Sequence, residues 1–317
     1  MKARIVYMGT PEFAVAPLEA LIQSQHEVVA VVTVPDRQAG RGRKPTPSAV
    51  KVCAEKHNLP ILQPEKLRDE QFQAELVSYN ADLFVVVAFR MLPTSVWSMP
   101  KLGTFNLHAS LLPDYRGAAP IHWAVINGEE KTGVTTFLID EEIDTGNILL
   151  QAETSIGANE TTGELYHRLM DLGSPLVVET VDGLLSGKLE GKTQKHVDSP
   201  KNAPKLFREH QYVPLNDIAE AAHNRVRGLT PFPAPLIVLE TSSGERIEAK
   251  VANSTYEEGQ IGECGTLEWR KNELAIQCKS GLLILGEIQW PGKKKMGVAD
   301  FKNGYTEYSE LKALCTP

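Results

Sequence analysis

Along the first 186 residues, short apolar runs alternate with stretches whose apolar positions recur every three or four residues. The runs at 3–8, 28–34, 60–63, 82–88, 104–107 and 134–139 predict strands. The amphipathic stretches at 13–23, 48–57, 69–78, 118–126 and 162–185 predict helices. Leu83-Phe84-Val85-Val86-Val87 is unbroken, as expected of a strand buried on both faces. Strand and helix in regular alternation predict an α/β fold with a mostly parallel, doubly wound sheet. Ligands of such sheets bind outside the carboxyl ends of the strands. Residues 106–108 and 144 are both expected at such ends, the first near 107 and the second just past 139.

The pattern changes near Gly187. Residues 187–206 are rich in Lys, Gly, Pro, Ser and Asn, lack periodicity and read as an extended linker. An amphipathic helix is predicted over 214–226, followed by short strands at 236–240, 246–252, 266–269, 274–278 and 282–290. Short strands at regular spacing suggest a second, small barrel of the OB-like type, a fold that often binds nucleic acid. The expected division is a first domain at 1–186, a linker at 187–206 and the barrel domain at 207–317.

Composition narrows the picture a little. A chain of 317 residues has room for two cores, and 42% hydrophobic with 23% charged residues describes an ordinary globular protein. The formal net charge of -7 argues against a general nucleic-acid binder, so any such contact must come from local basic patches. Cys53, Cys264, Cys278 and Cys315 form no C-x-x-C pair, which predicts neither a zinc site nor a disulfide scaffold and suits a reducing compartment. The apolar run at 5–8 stops at Gly9-Thr10-Pro11, too short for a signal peptide, and no run nears the roughly 20 apolar residues that span a bilayer. A cytoplasmic protein with no membrane contact is expected.

Candidate chemistry concentrates in Asn106-Leu107-His108, where an amide and an imidazole two residues apart share one face of a strand. A strand histidine by itself is more often structural. A second polar group on the same face of an apolar strand is costly unless it is used. An amide beside an imidazole can hold a developing oxyanion and move a proton. Asp144 is the candidate carboxylate to orient that imidazole, with Asp140, Glu141 and Glu142 as rivals. Ser110-Leu111-Leu112-Pro113 predicts a rigid turn able to offer backbone donors and acceptors to a planar ligand. Residues 35–51 hold five cations (Arg37, Arg41, Arg43, Lys44, Lys51) against Asp36, with glycines that permit close approach to a phosphodiester. A solvated loop is the plainer reading of such a run.

Taken together, Asn106-x-His108, Ser110-Leu111-Leu112-Pro113-x-Tyr115-Arg116-Gly117 and Asp144-Thr145-Gly146 resemble the 10-formyltetrahydrofolate-dependent formyltransferases. The resemblance implies a Rossmann-like first domain that binds folate in place of a dinucleotide; no G-x-G-x-x-G follows the first strand. It makes Asn106, His108 and Asp144 catalytic and Ser110, Leu111, Leu112 and Pro113 the folate contact, with no metal. Further segments resemble the members of that family that formylate methionyl initiator tRNA: Gly9-Thr10-Pro11-Glu12-Phe13-Ala14, the basic loop, and Lys293-Lys294-Lys295-Met296 with Val298-x-Asp300-Phe301-x-x-Gly304. That likeness assigns Arg37, Arg41, Arg43 and Lys44 to tRNA; a monomer is expected. Linker lysines 188, 192, 195, 201 and 205 would border the tRNA path, though each is also ordinary solvent-facing charge. One departure is His122, where the family pattern has glutamine, expected to be a neutral change. Two rival readings are a relative acting on a small amine, such as a glycinamide ribonucleotide or an amino sugar, and a non-catalytic nucleic-acid-binding protein.

Overall fold

The structure is a computed structural model describing residues 2–39, 44–195, 197–259, 261–305 and 307–315. In chain order, its first half contains β1 (Arg4–Gly9), α1 (Val15–Gln23), β2 (Glu27–Val32), β3 (Arg37–Ala39), β4 (Lys44–Thr46), α2 (Ala49–Lys56), β5 (Ile61–Leu62), α3 (Glu70–Ser78), β6 (Leu83–Val87), α4 (Thr94–Trp97), β7 (Thr104–His108) and β8 (Arg116–Gly117). Then come α5 (Pro120–Ile126), β9 (Lys131–Leu138), β10 (Ile148–Ser155), α6 (Thr162–Leu185) and β11 (Asn202–Ala203). Two units emerge: one of Met1–Gly117, Thr132–Thr154 and Tyr166–Asn202, the other of Ala118–Lys131, Ser155–Leu165 and Ala203–Pro317.

The first unit is built on a seven-stranded sheet in the order β10-β9-β7-β6-β1-β2-β5. Its neighbours are parallel from β5 through β7. The predicted apolar runs are these strands, because a strand covered by helices on both faces has no polar side to show. All five residues of β6 are buried. Val6, Met8, Val32, Phe84 and Val86 pack with Phe72 and Leu76 of α3 and Val96 of α4. Side-chain caps fix two helix starts: Ser48 accepts from the Lys51 N–H and Asp69 from that of Phe72. In α6, Gly173 is needed for close packing, since a Cβ there would lie 2.8 Å from Leu107 Cδ2.

Elements of this unit that were not expected include the β3–β4 hairpin, α4, the two-residue β8, and β10. β10 escapes a search for apolar runs because it is an edge strand whose alternate residues Gln151, Glu153 and Ser155 are exposed. A second correction matters more for function. β9 runs antiparallel to β7, pairing Phe105 with Leu138 and His108 with Thr135. The carboxyl end of β9 therefore lies at the opposite end of β7 from His108, and Asp144 does not sit just past a parallel strand end.

The second unit adds α7 (Ala219–Gly228), β12 (Leu236–Glu240), β13 (Arg246–Glu257), β14 (Leu267–Trp269), β15 (Leu274–Gln277), β16 (Leu282–Gln289), β17 (Met296–Gly297), α8 (Val298–Gly304) and β18 (Lys312–Ala313). Its strands form an antiparallel, barrel-like sheet in the order β14-β15-β16-β13-β12-β18, with β17 on β16. Leu239, Val251, Ile276, Leu283 and Leu285 meet Val226 and Phe301 in its core. The predicted helix over 214–226 starts later, at Ala219, because 214–217 close a turn through the Asp217 N–H and the Pro214 carbonyl. The predicted strand at 246–252 continues to Glu257 in unchanged register, through Asn253, whose φ is 55° and which stands opposite Gly286 without a ladder pair.

Contrary to expectation, Cys264 and Cys315 are joined as a disulfide across 51 residues of sequence. Spacing along the chain gave no sign of it; the Ala313 N–H donates to the Gly265 carbonyl and lays the two stretches side by side. Cys53 and Cys278 are free and buried. Among the described residues no helix is long and apolar enough to cross a membrane.

Candidate active site

In β7, Phe105 and Leu107 point to one face and Asn106 and His108 to the other. The expected adjacency of amide and imidazole is therefore present. His108 is only 6% exposed. Its Nε2 donates to the Tyr115 carbonyl at 2.8 Å, which pins the ring. Nδ1, at the other edge, stands 3.8 Å from Asp144 Oδ2. That leaves Nδ1 as the nitrogen free to meet a reacting atom. The Asn106 side chain makes no hydrogen bond among the described residues.

Asp144 reaches this point from the loop between β9 and β10, which turns back along β7. The turn is closed by Thr145, whose hydroxyl donates to Asp140 Oδ1 at 2.8 Å, so the rival Asp140 serves the loop and not the imidazole. Asp144 itself has φ 57°, a left-handed conformation that Asp and Asn adopt more readily than other side chains. Its Oδ2 accepts the Gly117 N–H at 2.8 Å. Gly146 lets the loop lie flat on β9, because a Cβ at that position would be 1.7 Å from the Leu138 carbonyl oxygen.

A side chain from the presumed linker completes the support. Gln194 Nε2 donates to the carbonyls of Asp144 (2.8 Å) and Gly146 (2.9 Å), while its Oε1 accepts from Arg116 Nε and Nη2. Arg116-Gly117 is thus more than turn punctuation: one residue anchors Gln194 and the other holds the Asp144 carboxylate. Nothing in the composition around 194 singles out that glutamine; only its position against the loop does.

The turn at Ser110–Pro113 is rigid, as predicted, but its polar backbone faces inward. Buried Thr135 on β9 donates to the Ser110 carbonyl and accepts from the Leu112 N–H, and Gln151 donates to the Leu112 carbonyl. Leu111 accepts from the Asp114 N–H. The groups expected to meet a planar ligand are largely engaged within the protein. Beyond the carboxyl end of β6, the strand next to β7, a shallow hollow of about 230 Å³ is lined by Leu67, Arg68, Arg90, Met91, Leu92 and Pro93. Sequence reading did not pick out these residues, since Arg90-Met91-Leu92-Pro93 carries no polar pattern beyond one arginine.

Of the residues assigned to tRNA, Arg37 is exposed on β3 and pairs with Thr46 in the hairpin. Lys44 opens β4 with its side chain outside the described residues, and Arg41 and Arg43 lie outside them altogether. Asp36, the loop's anion, accepts from Lys51 Nζ at 2.7 Å and from Gln63 Nε2 at 2.8 Å, which hold its carboxyl below the ordinary 3.8. In the other unit, His122 Nε2 donates to the Phe232 carbonyl at 3.1 Å, and burial lowers its imidazole pKa.

Residues 1–181 match the family described as Formyl transferase, and residues 205–306 match Formyl transferase, C-terminal domain. The chain belongs to the formyl transferase family. It is 47% identical over 312 residues to the methionyl-tRNA formyltransferase of Flavobacterium johnsoniae, covering 98% of this chain and 99% of that protein. It is 46% identical over 316 residues to the methionyl-tRNA formyltransferase of Parabacteroides distasonis, covering 97% of each. Among solved structures, its fold resembles WlaRD, a sugar 3N-formyl transferase determined with dTDP and 5-N-formyl-THF, at a TM-score of 0.65 and 21% identity over 92% of this chain and 99% of that one. HypX from Aquifex aeolicus in complex with tetrahydrofolic acid aligns with a TM-score of 0.64 and 18% identity over 96% of this chain and 48% of HypX.

Proposed function

We propose that this protein transfers the formyl group of 10-formyltetrahydrofolate to the amino group of methionyl initiator tRNA, giving N-formylmethionyl-tRNA. The observation that carries the reading is near-complete alignment at 46–47% identity with relatives named for that activity. The geometry supports it. An amide, an imidazole and a carboxylate converge at one strand end, and they suit acyl transfer to an amine without a covalent enzyme intermediate.

In this mechanism the neutral amine attacks the formyl carbon to give a tetrahedral intermediate. Asn106 and a proton on His108 Nδ1 hydrogen-bond the oxyanion, and Asp144 keeps the ring turned and stabilises its charged form. The proton lost by the amine passes to the leaving folate nitrogen through His108 and Asp144, directly or across a water. The hollow beyond β6 offers apolar walls and Arg68 to the folate, while the Arg90 guanidinium is held by the Pro64 and Glu65 carbonyls. The reading divides labour between a catalytic domain at 1–186, a linker at 187–206 and a barrel at 207–317 that holds the tRNA body through its phosphates. Arg37, Arg41, Arg43 and Lys44 are assigned to the acceptor end, where an unpaired terminus is easier to splay than a closed pair. The monomeric state and the cytoplasmic site belong to the same proposal.

The test is formyl transfer from 10-formyltetrahydrofolate to methionyl initiator tRNA, methionyl elongator tRNA and free methionine. Selective formylation of the initiator is expected, and His108→Ala should lose about 10²–10³ in turnover. Folate binding without formylation of any tRNA would move the assignment to a small-amine acceptor, and near-normal turnover in His108→Ala would exclude the mechanism. Arg41→Ala and Arg43→Ala should weaken tRNA use in a salt-dependent way and leave folate binding intact.

A further inference from the structure

We propose that Glu19, Cys53 and His57 form a binding site for a zinc-class divalent cation that ties α1 to α2. The site lies wholly within the first unit, is distinct from the formyl-transfer residues, and does not depend on the assignment of that reaction. Its three side chains bring one ligand atom each to within 4.8 Å of one another, and among the described residues no other group of histidine, cysteine and carboxylate ligands does so.

The helices explain the convergence. Cys53 and His57 are four apart at the end of α2, so they lie one above the other on one face. Glu19 enters from α1. Tetrahedral zinc has bonds of about 2.0–2.3 Å, which sets its ligand atoms about 3.3–3.7 Å apart. Closing a spacing of up to 4.8 Å to that value needs approaches of up to about 1.1–1.5 Å, and the broad terminal torsions of Glu and His supply them.

One feature is unusual without an ion. His57 Nε2 is buried with no hydrogen-bond partner, a condition that few buried polar atoms tolerate. Cys53 is only 5% exposed. A bound cation takes the Cys53 thiolate and releases the thiol proton to solvent, one proton per ion. The thiolate and the carboxylate then offset the two positive charges. Sulfur and imidazole ligands select a zinc-class ion over magnesium or calcium, and three protein ligands leave a fourth position for water. The competing partner is Lys56, whose Nζ is 3.6 Å from Glu19 Oε1; its side chain is 70% exposed, so that pair is weak and Glu19 can turn away. Absence of a C-x-x-C motif had argued against zinc, but here the ligands are divided between two helices.

The experiment uses the full chain stripped of metal by chelation and titrated with cobalt as a spectroscopic probe and with zinc by calorimetry. One ion per chain is expected, with a thiolate-to-cobalt absorption band that Cys53→Ser loses and Cys278→Ser keeps. Glu19→Gln, a change outside the buried core, should fold as the parent does and bind at least about tenfold more weakly. Zinc should raise the melting temperature of the parent and not of Glu19→Gln. Failure to bind a stoichiometric ion, a band that survives Cys53→Ser, or undiminished binding by Glu19→Gln would each overturn the proposal.

Discussion

Asp144→Asn isolates what the carboxylate contributes to the imidazole. Asparagine is close to isosteric, its carbonyl oxygen can keep the 2.8 Å bond from the Gly117 N–H, and it tolerates the left-handed backbone at φ 57°. The loop should therefore stay in place while the charge disappears. Two unit charges at the observed 3.8 Å interact by about 4 kcal/mol at an effective dielectric near 20. The side chains of His108 and Asp144 are 7% and 14% exposed, so solvent screens the pair only partly. Desolvation of the carboxylate takes back a share, leaving about 2–3 kcal/mol for any stage at which the ring is charged. That corresponds to a loss of about 30- to 150-fold in rate. The assay is the initial rate of initiator tRNA formylation at saturating substrates, with a thermal melt as the control for folding. A variant within about threefold of the parent would refute the argument that Asp144 acts by charge, since that is under 1 kcal/mol.

Gly146→Ala should reduce turnover about 10²-fold, because relieving a 1.7 Å approach to the Leu138 carbonyl must displace Asp144 by an ångström or more; the same kinetic assay decides it. Gln194→Leu strands the Arg116 guanidinium and removes the donor to two carbonyls, with an expected loss of about 1–3 kcal/mol in denaturant unfolding. Cys278 gives a pH signature. Burial pushes its thiol from the ordinary 9.0 up to about 11, so the folded state holds this proton longer than the unfolded chain does. Its contribution to stability is complete below pH 9.0 and is lost as the pH rises towards about 11; urea midpoints should converge between the parent and Cys278→Ala across that window.

Much of this protein was legible in its residue pattern because the relevant physics is local. Leu83–Val87 had to be a doubly covered strand, since no polar side alternates along it. Asn106 and His108 had to share a face, since strand side chains repeat every second residue. The 24-residue span Thr162–Leu185 was predicted to its ends, because helical periodicity sustained over that length leaves little freedom in where it stops. What escaped depends on which segments meet in space. The antiparallel β9 looks like any other apolar run, and strand direction is set by pairing partners rather than by composition. For the same reason the chain alone could not reveal that Asp144 arrives from a returning loop, or that Gln194 supports it from a stretch that reads as linker. Nor could it show that Thr135 and Gln151 occupy the turn at Ser110–Pro113. The Cys264–Cys315 bond and the Glu19, Cys53 and His57 grouping follow the same rule. Periodicity determines which way a side chain faces within its own element, but its neighbours across the fold are chosen by tertiary packing, and the chemistry lies between neighbours.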